Sequence, residues 1–140
     1  MAPIGRNEIK PGLVAFLDPR VLAAQDGVSH TQDPPVARPG PFVCISVGSE
    51  SSEWTPVTTE YRPKRLVLRR EWRVGGHPQW LRDQQYLNDG ANLWRGPHDA
   101  FTAASSAEAT MPLNRARLST EGLAAVQAEI EAQRHRRHRS

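Results

Sequence analysis

At 140 residues the chain has room for one domain with a modest core, expected over residues 1–133 with a basic, disordered tail at 134–140. Only 38% of the residues are hydrophobic, no apolar run nears the roughly 18 residues of a membrane span, and Met1–Glu8 lacks the apolar centre of a secretory signal, so a soluble, cytoplasmic protein is expected. The net charge of +3 belongs to the tail: Arg134, Arg136, Arg137 and Arg139 are four of the 18 Lys and Arg, and the other 14 face all 15 acidic residues, leaving residues 1–133 near −1.

In chain order, the first element is the apolar run Leu13–Leu17, fenced by Pro11-Gly12 and by Asp18-Pro19. It is too short for an ordinary helix and reads as a buried strand. A long polar connection follows, through Gly27, His30, Asp33, Pro34, Pro35 and Pro39, with Val21–Ala24 able to make one helical turn. A connection of this length in a small domain is usually functional or disordered. Phe42–Val47 is a second buried strand, and it carries Cys44, the only cysteine. Its apolar setting argues for a packed thiol, since a reactive one needs an electropositive, partly open environment. The spacing of Cys and His fits no zinc site, and no cofactor is expected.

Trp54–Thr59 is a third strand, in which Pro56 signals an edge or a bulge. Arg65–Val74 predicts a fourth, with Leu66, Leu68, Arg70, Trp72 and Val74 on one face and Arg65, Val67, Arg69, Glu71 and Arg73 on the other. This strand lies in a basic stretch, where Arg62, Lys64, Arg65, Arg69, Arg70, Arg73 and Arg82 meet Glu71 alone. Gly75-Gly76 turns the chain, His77–Leu81 starts a further strand, and Asn88-Asp89-Gly90 marks a turn. A short helix opens at Gly96-Pro97, because Pro is tolerated in a first turn. The last helix starts near residue 120, capped by Ser119 and stapled by Leu118 and Leu123, with Leu123, Val126 and Ile130 as its apolar stripe. The fold expected is mainly β with α additions, a small antiparallel barrel closed by a C-terminal helix.

Two blocks in this order resemble the PemK/MazF-like toxin family. Pro11-Gly12 before Leu13-Val14-Ala15-Phe16 and Asp18-Pro19 is similar to the family's opening strand. Arg38-Pro39 leading into Phe42-Val43-Cys44-Ile45-Ser46 is similar to its second. Val57-Thr58-Thr59 and Ala116-Arg117-Leu118-Ser119 resemble its third strand and the start of its last helix. The resemblance implies an SH3-like barrel, commonly a homodimer, that cleaves single-stranded RNA without metal and is held by an antitoxin protein. Its long loop lies over the RNA.

Metal-free cleavage through the 2′-hydroxyl needs a base, an acid and a cation for the charge on phosphorus. Arg38 beside the loop, His30 within it and Arg95, the nearest match by order to the family's late-strand arginine, are the expected catalytic residues. Arg65, Arg69 and Arg73 are expected to track an RNA backbone, with Ser46, Thr58 and Thr59 binding phosphate oxygens. Most of the four tryptophans are expected in the core, with room for one to stack on a base. The competing reading is a non-catalytic SH3-like module that binds nucleic acid or a protein through the basic strand, and a weaker third is an assembly protein docking its C-terminal helix.

Overall fold

The computed structural model describes residues 2–31, 38–88 and 92–139, with side chains through residue 135. Asp33, Pro34 and Pro35 of the long connection, and Asp89-Gly90 of the expected turn, lie outside the described residues.

Three strands form the centre: β1 (Leu13–Leu17), β3 (Gly40–Val47) and β4 (Ser51–Thr58). Between the first two come a short helix α1 (Pro19–Ala23) and a two-residue strand β2 (Ser29–His30). Asp18 starts α1 as its N-cap, Oδ1 accepting from the Arg20 N–H at 3.0 Å, and Pro19 occupies the first turn. The connection is therefore partly built, not structureless as its composition suggests. After β4 come β5 (Val67–Leu68), β6 (Arg73–Val74), α2 (Pro78–Arg82), β7 (Gln85–Leu87), β8 (Trp94–Pro97), α3 (His98–Ala104), β9 (Ala116–Leu118) and α4 (Thr120–Arg139).

All the pairing is antiparallel, in the order β2-β8-β4-β3-β1-β9-β6, with β7 and β5 branching from β4. Among the described residues no ladder joins β2 to β6, so the sheet stays open along this path. Pro56 sits in a central strand, not at an edge. It has no N–H to donate, and the strand changes partner around it: Ser51–Trp54 pair with β8, while Val57 and Thr58 pair with β7.

Both faces of the sheet are covered, which explains why β1 and β3 read as unbroken apolar runs. Leu13, Ala15 and Leu17 join Phe42, Cys44, Trp54 and Trp94 under α1 and α3, where Leu22 and Phe101 are fully buried. Val14, Val43, Ile45 and Val57 face the other way, onto Trp72, Trp80, Leu118 and the α4 residues Val126 and Ile130. Each large side chain so buried contributes about 1.5–3 kcal/mol. Ser119 caps α4 as expected, its Oγ accepting from the Gly122 N–H at 3.1 Å.

Two expected strands are corrected. The run Arg65–Val74 is broken by a 3-10 turn at Arg70–Trp72. A straight strand would put Arg70 on the core face with Leu68 and Trp72; the turn leaves Arg70 exposed while Leu68 and Trp72 go inside. His77–Leu81 is helical, because His77 acts as the N-cap of α2, Nδ1 accepting from the Gln79 N–H at 3.1 Å, and Pro78 sets the first turn. Gly75 and Gly76 turn the chain at φ +65° and +83°, where a Cβ would lie 2.6 Å from the Arg115 carbonyl oxygen and 2.7 Å from the Ala116 Cβ respectively.

Candidate functional site

Where β1 and β3 begin the long connection, the sheet opens into a cleft of about 400 Å³. Phe16 and Pro41, paired across the two strands, form its floor with Val14. One wall is α2 and the start of β7, presenting His77, Gln79, Trp80, Asp83 and Gln85; the other is the segment 107–110. Thr59, just past β4, closes the end. The lining is mixed: an indole, a half-open phenyl ring and alanines, with amide, imidazole, hydroxyl and carboxylate groups among them. Few small-molecule or nucleotide seats need more than this.

Each wall is held by buried charge. Glu108, 5% exposed, accepts from the Phe16 N–H at 2.8 Å and from the Thr110 N–H and hydroxyl at 2.7 and 2.6 Å, tying the segment to β1. Behind it, the buried Arg115 donates to Glu8 at 2.9 and 3.1 Å and to the carbonyls of Ala2, Pro3 and Thr110. Hydrogen bonding from Arg115 is the main cause that holds the Glu8 carboxyl below the usual carboxylate range, with burial opposing it. In the other wall Arg73 is 4% exposed, stacks its guanidinium over Trp80 at 5.9 Å and donates to the carbonyls of Trp80 and Asp83. Burial lowers its pKa, as does neighbouring Arg70, against an opposing pull from Asp83.

The three expected catalytic residues are not brought together. His30 pairs with Trp94 across β2 and β8 and stacks on its ring at 4.4 Å. Arg95 is the next residue along β8, so its side chain leaves the opposite face of the strand, in register with Ser29 and Glu53. Arg38 precedes β3, whose first residue Gly40 stands four residues, about 13 Å of strand, from Cys44, and the Cys44, Trp54, Trp94, His30 line then crosses four strands to reach His30.

The arginine row is also corrected. Arg73 is built into the cleft wall, Arg69 is exposed over the Trp72 ring at 5.3 Å, and Arg65 donates to the Glu60 carbonyl and to Asn88 Oδ1. The 3-10 turn that buries Trp72 disperses them. Ser46 donates to Glu53 Oε1 at 3.0 Å, on the face where Arg134 meets Glu53 at 3.5 Å. Thr58 Oγ1 accepts from the Glu60 N–H. Of all these residues Thr59 lines the cleft, and Arg38 stands three positions before Pro41 at its mouth.

Asp83, Gln85, Glu108 and Thr110 carry no pattern that marks them, Trp80 is one of the four tryptophans among which a base-stacking ring is expected, and His77 reads as a turn residue. For His77 a signal existed: a side chain able to accept a hydrogen bond, directly before Pro, is a helix start. Buried Cys44 has its thiol pushed up to about 12 by desolvation, which removes it from nucleophilic chemistry. Among the described residues no group of three or more His, Cys, Asp and Glu stands together as a metal site, and no helix is long and apolar enough to cross a membrane. Compared with protein families, with curated proteins and with solved structures, the chain matches none of them.

Proposed function

We propose that the chain is a distant PemK/MazF-like module that binds single-stranded RNA, with a base seated in the cleft and the backbone passing its basic rim. The single observation that carries this is the cleft's position: it opens at the mouth of the long connection, against the two strands that bear the family-like motifs, with Arg38 three residues before the lining residue Pro41. No Lys or Arg lines the cleft, whereas Arg82 ion-pairs with Asp83 at 3.1 Å and Arg38, Arg62 and Lys64 are exposed. Phosphates therefore suit the rim and a neutral, planar base suits the interior. Single-stranded nucleic acid is held in this way, by stacking inside a basic border.

Toxin-like endoribonuclease activity is the second reading, supported by a pair of residues outside the three expected. His77 and Asp83 stand at the two ends of α2, both on the cleft, and with the Glu108 carboxylate occupied by three donors they are the pair there suited to exchange a proton with a ribose hydroxyl or a leaving oxygen. A homodimer and an antitoxin partner rest on the family resemblance alone.

One assay separates the readings. A labelled mixed-sequence 12-nucleotide RNA is titrated in EDTA by fluorescence anisotropy, and the same samples are run on a denaturing gel. Micromolar binding is expected, weakening roughly tenfold between 50 and 200 mM salt if two or three phosphates are engaged. Arg38→Ala should weaken binding about threefold to tenfold. Absence of binding at 50 mM salt overturns the RNA reading. Cleavage lost in His77→Ala would establish the enzyme; intact RNA leaves the binding module.

A further inference from the structure

Resting on the RNA reading above, the cleft's own chemistry goes one step further, to which base it takes. We propose that the cleft selects bases whose pairing edge sets an exocyclic amine next to an unprotonated ring nitrogen, adenine and cytosine, over uracil.

The cleft is rich in acceptors. Asp83 offers a carboxylate of which Arg82 engages Oδ1 alone, on the outer side chain of α2. Gln85, 4% exposed, lines the same cleft, and its Oε1 accepts no hydrogen bond. Trp80 lines the cleft too, and its indole N–H is likewise buried without an acceptor. Glu108 does not compete, since its carboxylate is already occupied by three donors from Phe16 and Thr110. Two unfilled acceptors and one unfilled donor ask for a planar group that presents an amine next to a ring acceptor. The N4 amine and N3 of cytosine, or the N6 amine and N1 of adenine, have this pattern. Uracil offers a single N–H between two carbonyl oxygens, and either oxygen placed against Asp83 meets a like partial charge. A phosphate is excluded more strongly on the same ground.

The closing experiment uses the full chain and three labelled hexanucleotides, rC6, rA6 and rU6, at 50 mM salt. The rC6 and rU6 pair is decisive because the ring size is the same. Binding of rC6 about tenfold tighter than rU6 is expected, and Asp83→Asn should narrow that gap by improving rU6, since the amide can donate to a carbonyl oxygen. Equal affinity of the unmodified protein for rC6 and rU6 overturns the selectivity while the RNA reading stands. So does a gap that Asp83→Asn and Gln85→Leu both leave unchanged in variants that melt as the parent does. Failure of all three oligonucleotides to bind overturns the RNA reading itself, and the selectivity with it.

Discussion

Replacing Arg115 by Met tests whether buried charge holds the cleft wall. The methionine keeps most of the unbranched stem and removes the guanidinium, which donates to Glu8 twice and to the carbonyls of Ala2, Pro3 and Thr110. Breaking a buried pair by deleting one partner costs about 3–5 kcal/mol. Here the Arg115 side chain is 7% exposed and that of Glu8 21%, so water reaches the abandoned carboxylate and the low end applies, about 3 kcal/mol. With a urea dependence of about 2 kcal/mol per molar, the midpoint should fall by roughly 1.5 M. The loss should also depend on pH. In the folded protein the Glu8 carboxyl is held below its unfolded value, mainly by Arg115, so its contribution is present above about pH 4.3 and is lost as pH falls through the lower folded value. Parent and variant should therefore converge on acidification. A midpoint shift under about 0.3 M at pH 7, or a difference constant from pH 6 down to pH 3, would refute the clamp.

Gly122→Ala in α4 sets two effects against each other: Ala gains about 1 kcal/mol in a helix interior, but its Cβ would stand 2.6 Å from the Trp72 Cβ, and such overpacking costs about 1–3 kcal/mol. Net destabilisation is expected, and a raised melting temperature would show that α4 does not press on Trp72 as described. Cys44 should react with a thiol reagent at pH 8 only as fast as the protein unfolds, because burial lifts its pKa to about 12; prompt labelling of folded protein contradicts this. Arg69→Glu should cost about 0.5–1 kcal/mol through its exposed position over Trp72 and weaken RNA binding less than Arg38→Ala, since Arg38 leads into Pro41 on the cleft floor and Arg69 adjoins no lining residue in the chain; the reverse ranking in anisotropy would restore the arginine row.

The central strands were legible because local signals and burial agree there. Leu13–Leu17 and Phe42–Val47 are apolar on both faces, and the sheet is covered on both. The C-terminal helix was legible from Ser119, whose hydroxyl does cap it. Arg65–Val74 misled because period-two reading assumes one straight strand: the pattern places Trp72 on the core face correctly but cannot register that a turn is the way to expel Arg70. The cleft was illegible for a related reason. His77, Asp83 and Gln85 stand close together on α2 and β7, but Glu108 lies far along the chain from them, and no spacing rule links β7 to the segment 107–110. Arg73 shows how sequence and site part company. As one of seven basic residues in a stretch it reads as surface charge, yet it donates to the carbonyls at both ends of the wall that carries Trp80 and Asp83. A buried cation behind that wall ties its two ends together, so the arginine expected to grip a phosphate from outside instead braces, from inside, the wall whose carboxylate would keep phosphates out.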